Sequence, residues 1–158
     1  MDSTLLGALI GAGATLTAVI VAARINYIAT QKQENKRILN QKKEELYQAV
    51  LEIERVMYLY LTCINNAFYK LPFSIIEIDE KRDRAFTKIE MISTIYFFDL
   101  DITKAMDAIA EYEQSDVYYI RPEQFKGEVS AKELTIAASN YHKIEQEMVG
   151  LKVAIHKL

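Results

Sequence analysis

The most constraining feature of the sequence is a run of nineteen residues without a charge, from Leu5 to Ala23. At a rise of about 1.5 Å per residue, a helix of this length covers about 28 Å, which is close to the thickness of a bilayer's hydrocarbon core. Arg24 follows the run, and its long side chain can reach the lipid headgroups, where the ring of Tyr27 also fits. We therefore predict a single transmembrane helix within residues 1–29.

Two alternatives to a membrane span remain open. The first is a buried core helix, although a core helix of this length without a charge is rare in a small domain. The second is a cleaved signal peptide. The first part of a signal peptide should be basic, but here it carries only Asp2, and the apolar run is longer than a normal signal-peptide core.

The flanking charges predict an orientation for this helix. Positive residues favour the cytoplasmic side of a membrane. Asp2 precedes the run, and the basic residues that follow it are Arg24, Lys32, Lys36, Arg37, Lys42 and Lys43. We expect a single-pass protein of the inner (cytoplasmic) membrane, with its N-terminus outside and its C-terminal domain in the cytoplasm.

Small residues recur on one face of the predicted span. Gly7 and Gly11 form a G-x-x-x-G motif, and steps of three or four residues extend the face. Such a face lets helix backbones approach closely in lipid, which predicts a homo-oligomer and, if it encloses a pore, a weakly polar lining. The alternative is that Gly and Ala are simply common in membrane helices. The predicted oligomerisation and pore residues are Gly7, Gly11, Ala14, Thr15, Ala18 and Ala22.

The rest of the chain has the pattern of a helical bundle. Neither Gly nor Pro occurs between Gly13 and Pro72, so the span should continue as one helix through a polar stalk at 30–43. Within 44–158, apolar residues at helical spacing predict a buried stripe. The stripe of the first helix comprises Leu39, Leu46, Val50, Ile53, Met57, Tyr60 and Ile64.

Helix signals divide the remainder into three more helices. Pro72 should end the long helix near Lys70, and residues 73–78 should form an ordered loop. Asp79 is a plausible N-cap of the second helix, Asp99 or Asp101 of the third, and Ser130 with Glu133 forms a capping box for the last. The predicted fold is all-α, with a single N-terminal transmembrane helix that continues into a long helix and a cytoplasmic antiparallel four-helix bundle.

The composition and motifs give no indication of an enzyme. Lys and Arg total 19 and Asp and Glu total 22, a net charge of -3 without the basic excess of a nucleic-acid binder. No glycine-rich phosphate-binding motif occurs. Cys63, His142 and His156 are too few and too far apart for a zinc site. We expect no catalytic residue, no metal and no cofactor.

One loop predicts a contact surface. Residues 115–129 hold turn signals, and the aromatic side chains of Tyr118, Tyr119 and Phe125 lie among them. Exposed aromatic residues are enriched at protein interfaces. The three are therefore predicted partner-binding residues, for a cytosolic defence protein among others, and the alternative is that they fold back over the core.

The layout resembles a known family. An N-terminal membrane helix, a continuous stalk and a small bundle are similar to the membrane accessory protein of type VI-B CRISPR systems, whose members build a membrane pore on HEPN-like bundles and strengthen defence against phage. HEPN nucleases carry Arg, then four to six intervening residues, then His, on a bundle helix. The nearest matches here are Lys152 with His156, and the fragment Asn140 with His142, so the resemblance implies a degenerate, non-catalytic HEPN-like bundle.

Three functions follow from these features. The first is an oligomeric membrane effector of prokaryotic antiphage defence that forms a pore or perturbs the membrane. The second is a membrane-tethered helical module that recruits a cytosolic partner or senses a small ligand. The third is a membrane-bound RNase that uses His142 or His156.

Overall fold

The structure is a computed structural model that describes the backbone of residues 3–158 and the side chains of residue 15 and residues 17–158. The side chains of three predicted oligomerisation residues, Gly7, Gly11 and Ala14, therefore lie outside the described residues.

Four α-helices make up most of the chain. Helix α1 is Ser3–Phe68, α2 is Ile76–Tyr96, α3 is Thr103–Tyr112 and α4 is Ala131–Lys157. A π-helical turn at Glu113–Val117 and a 3-10 turn at Tyr118–Ile120 follow α3 directly. Over the described residues there is no strand, and the prediction of an all-α chain with four helices is confirmed.

The chain divides into two compact units, the first ending at Gln41 and the second comprising Lys42–Leu158. In the first unit, every described side chain is exposed. Over the part of the chain that the structure describes, no helix combines the length and the apolar character that a membrane crossing requires.

The core of the second unit is built on one face of α1. The predicted stripe is buried from Leu46 to Ile64, whereas Leu39, its first member, lies in the first unit and is exposed. Helix α2 adds Ile89 and Ile92 to this core, and the stripe of α4 that enters it comprises Ala137, Ile144, Met148, Leu151 and Ile155. Ile95 on α2 and Ala138 on α4 are exposed, whereas Ile92 and Ala137 are buried.

Contacts between side chains show that α1 and α4 run antiparallel. Between α1 and α4, Lys152 Nζ contacts Glu54 Oε1 at 2.8 Å. Later in α1 but earlier in α4, the rings of Tyr58 and Tyr141 lie 6.0 Å apart. Between α3 and α4, Lys143 Nζ contacts Glu111 Oε2 at 2.5 Å. The second unit therefore has the antiparallel contacts expected of a helical bundle.

The helix boundaries confirm some sequence signals and correct others. Ser130 caps α4 in a capping box with Glu133, as predicted. Asp101 Oδ1 accepts the backbone N–H of Thr103 at 3.0 Å, so it serves the start of α3. Asp79, however, lies inside α2, which begins at Ile76 within the segment predicted as a loop. The helix starts early because Ile75 and Ile78 are both buried, which requires helical spacing between them.

Two buried tyrosines differ in one respect. Tyr60 and Tyr112 are both fully buried, but the Tyr60 hydroxyl donates to Asp79 Oδ1, whereas the Tyr112 hydroxyl has no hydrogen-bond partner among the described residues. Burial raises the pKa of both phenols well above the ordinary value, and the hydrogen bond to Asp79 adds to the rise for Tyr60.

We predict opposite effects when each hydroxyl is removed. Tyr60→Phe should lower the free energy of unfolding by about 1.5–3 kcal/mol, because a hydrogen bond to a charged group is lost. Tyr112→Phe should leave it unchanged or raise it by about 1 kcal/mol, because an unpaired polar group leaves the core. Urea unfolding of the full-length chain in mild detergent measures both, and destabilisation of equal size would contradict the assignment.

The same variants have a pH signature. A buried tyrosine holds its proton more tightly in the folded chain than in the unfolded chain, where it titrates near pH 10. The resulting stability is complete below about pH 10 and is lost as the pH rises above it. The urea midpoint of the wild type should therefore fall between about pH 9.5 and 11, a range that brackets the ordinary tyrosine pKa, and this fall should be smaller in Tyr112→Phe.

Candidate functional site

A cleft of about 460 Å³ opens in the second unit between the turns that follow α3 and the first turns of α4. This volume lies in the range of small-molecule sites. Apolar residues, with Ile64, Ile120 and Ala137 among them, form about half of its lining, and Ser115 and Asp116 are among the residues that bring polar groups to it.

Asp116 reaches the cleft because the helix changes its pitch after Tyr112. In the π-turn the hydrogen bonds span five residues rather than four, so an extra residue is fitted into the turn. Two successive residues of this turn, Asp116 and Val117, are both buried. Such turns occur frequently at functional sites, which makes this cleft the first candidate.

The Asp116 carboxylate has hydrogen-bond partners on one oxygen. Oδ2 accepts from Ser115 Oγ at 2.7 Å and from Asn140 Nδ2, on α4, at 2.8 Å. Oδ1 accepts no hydrogen bond from any side chain or backbone group that the structure describes, and Asp116 forms no ion pair with a described residue. The cleft thus contains a carboxylate that is 9% exposed and whose partners are neutral.

Two arginines fix the turn segment to α2. Arg82 donates from Nε and Nη2 to the two carboxylate oxygens of Glu113, at 2.7 and 2.5 Å. Arg121 donates to Asp79, with 3.0 Å between Nη1 and Oδ2. The pKa of Arg82 is raised, chiefly by the hydrogen bonds to Glu113. The segment that carries Asp116 is therefore held at both of its ends.

The predicted partner-binding aromatics are divided between the surface and the core. Tyr118 and Tyr119 are exposed, with their rings 5.7 Å apart, and Tyr119 also lines the cleft. Phe125 is half-buried and packs edge-on against Phe73, with 5.3 Å between the ring centroids. Of these three side chains, the two tyrosines present the larger accessible surface.

The HEPN-like residues lie on α4 and have separate partners. Lys152 pairs with Glu54, at 2.8 and 2.9 Å, and the exposed His156 offers its backbone carbonyl to Lys43. Asn140 is bound to Asp116. His142 is exposed and contacts Glu145 and Gln146. No contact between the described side chains joins Lys152 to His156 or Asn140 to His142.

The predicted oligomerisation face is described only in part. Thr15, Ala18 and Ala22 are exposed, and the side chains of the other three members lie outside the described residues. Over the described side chains, no group of three His, Cys, Asp or Glu residues is placed to hold a metal ion. Cys63 is buried and contacts the Ser74 carbonyl, and burial raises the pKa of its thiol.

Comparisons of the chain with protein-family models, with curated proteins and with solved structures give no match.

The sequence did not reveal the Asp116 site. Ser115-Asp116 is an ordinary turn signal, and nothing in the apolar spacing predicts that α3 continues into a π-turn. The partner Asn140 lies twenty-four residues further on, and only the packing of the turn on α4 brings the two together.

We predict that Asn140 stabilises the turn segment. Asn140→Ala should lower the free energy of unfolding by about 1–3 kcal/mol, because the buried carboxylate loses a donor. The matched control is Ser139→Ala at the preceding, exposed position of α4, which should change it by less than about 0.5 kcal/mol. Equal effects of the two substitutions would show that the Asn140–Asp116 contact contributes nothing.

Proposed function

We propose that the chain is an oligomeric membrane effector, anchored by residues 5–23, whose helical bundle responds to a ligand. The observation that carries the proposal is the apolar surface of the first unit. Six large apolar side chains there are 46–62% exposed: Val19, Ile20, Val21, Ile25, Tyr27 and Ile28.

These side chains surround the helix rather than forming a stripe. Successive residues of an α-helix are separated by about 100°, so Val19, Ile20 and Val21 point in three different directions. A helix that is apolar on all sides needs an apolar environment, either a protein core or lipid. Residues 5–18 extend this character in the sequence without a charge. The length of the uncharged run favours lipid as that environment.

Further features support the arrangement. By the positive-inside rule, the basic residues that follow the run favour the cytoplasmic side for the bundle. The G-x-x-x-G face supports self-association. The layout similar to the CRISPR accessory family supports a role in antiphage defence, and the pairing of Lys152 with Glu54 supports a bundle without nuclease activity.

The membrane anchor can be tested with charges. Leu16→Asp with Ile20→Asp should release the chain from membranes, because each carboxylate near the middle of a span costs about 2.5–3.5 kcal/mol. The control is Ile38→Asp with Leu39→Asp, which places the same charges on exposed residues beyond the uncharged run. Extraction of membranes with alkaline carbonate should retain the wild type and the control and release the first variant. Release of the wild type would refute the anchor.

Self-association can be tested by the mass of the full-length protein in detergent. Gly7→Leu with Gly11→Leu should reduce the oligomer to a monomer, because the larger side chains keep the backbones apart. Ala12→Leu with Ala23→Leu enlarges two small residues that are turned by about 120–140° from the glycine face, and it should leave the mass unaltered. A monomeric wild type at high concentration would contradict an oligomeric effector.

A second function is favoured by the exposed pair Tyr118 and Tyr119. In this arrangement the bundle, held at the membrane, recruits a cytosolic partner through the two rings. Tyr118→Ala with Tyr119→Ala would then abolish function while the glycine variants retained it, which is the reverse of what an oligomeric effector requires.

A further inference from the structure

We propose that the cleft beside Asp116 binds a small ligand in which a protonated amine is joined to an apolar body. The inference deepens the ligand-responsive part of the proposed function, and it is independent of whether the first unit lies in a membrane.

The first argument is the state of the Asp116 carboxylate. It is nine-tenths buried, it lines the cleft, and both of its hydrogen bonds come from neutral donors to Oδ2. A buried charge is costly unless it is paired. An ammonium group in the cleft would donate to Oδ1 and compensate this charge, and charge-assisted hydrogen bonds of this kind are the stronger ones.

The second argument is the charge of the cleft as a whole. Its charged lining residues are three acids, Asp116, Glu128 and Glu133, and one base, Lys132, so the formal charge is 1 − 3 = −2. Glu128 is paired with the exposed Lys70, and Glu133 is occupied by the cap of α4. The negative potential attracts a cation, and Asp116 is the acid that has no backbone or cationic partner among the described residues.

The third argument concerns the rest of the ligand. Apart from these charged residues and two serines, the wall is apolar, with Ile64, Ile120 and Ile136, and Tyr119 adds an aromatic ring at the surface. An apolar body therefore fits the cleft better than a polyamine or an inorganic cation does. A single carboxylate with neutral neighbours also suits a monovalent cation, and the described residues gather no set of ligands for a metal ion.

The test uses the full-length protein in detergent and three probes in calorimetric titrations. The first probe is phenethylamine, the second is its neutral isostere 2-phenylethanol, and the third is Nα-acetyl-lysinamide, which carries an amine without the aromatic body. We expect phenethylamine to bind with a Kd at least tenfold lower than either of the others, a difference of about 1.4 kcal/mol. Equal Kd values for phenethylamine and the alcohol would overturn the proposal, and tightest binding of the lysine derivative would assign the cleft to a partner's lysine instead.

Asp116→Asn is the decisive variant. The amide oxygen can take the place of Oδ2 and keep the hydrogen bonds from Ser115 and Asn140, while the amide NH₂ replaces Oδ1 and repels an ammonium. The preference for the amine should fall at least tenfold. The control Asp107→Asn removes the same charge from an exposed position of α3 that does not line the cleft, and it should retain the preference. Because both variants are measured in the same detergent, uptake of probe by micelles cancels.

A second variant covers the case in which Asp116→Asn fails to fold. Ile136→Trp fills the cleft from an exposed position of α4 and leaves the carboxylate intact, so it should block phenethylamine binding at an unchanged thermal midpoint. Undiminished binding in a folded variant would place the amine elsewhere and overturn the proposal. Loss of membrane anchoring with the amine preference intact would refute only the membrane role.

Discussion

The second unit depends on the apolar face that α1 buries between Leu46 and Ile64. Each large side chain on this face stabilises the fold by about 1.5–3 kcal/mol relative to exposure, and α2 and α4 both pack against it. The polar contacts of the unit are arranged around this core rather than replacing it. Tyr60 is an example: its ring is part of the apolar core, and its hydroxyl at the edge of that core donates to Asp79 on α2.

The turn segment after α3 is the part of the unit in which polar groups determine the conformation. Arg82 binds Glu113 at its start, and Asn140 binds Asp116 in its middle. At its end, Arg121 donates a hydrogen bond to Asp79 on α2. Local hydrogen bonding in a π-turn is unfavourable compared with an α-helix, so the segment requires these outside contacts. They keep a carboxylate buried at the edge of a cleft, which an apolar turn of the same length would not do.

The sequence predicted the parts of the fold that follow from periodicity and local capping. The stripe from Leu46 to Ile64 and the Ser130–Glu133 capping box are both present as expected. It misplaced the start of α2, because Asp79 has the composition of a cap but is engaged by tertiary contacts. The cleft was not predictable, since its carboxylate and amide come from distant elements and the π-turn has no periodic signal.

The two units also differ in whether their side chains are buried or exposed. In the second unit, burial and hydrogen bonds decide which side chains matter, and Phe125, for which the sequence left both a surface and a core position open, packs against Phe73. In the first unit, the described side chains are all exposed. The apolar residues between positions 19 and 28 are therefore not explained by packing within the first unit.

The geometry of the Arg82–Glu113 pair has a consequence for the choice of residue at position 82. Two parallel donors of one planar guanidinium meet two oxygens of one carboxylate, so the contact fixes an orientation as well as a distance. A lysine there would preserve the positive charge, but its single ammonium group would leave the carboxylate of Glu113 free to rotate. The first residue of the turn, Glu113, would then be held at a distance but not in a fixed orientation. The angle at which the following residues approach α4 would no longer be fixed by this contact.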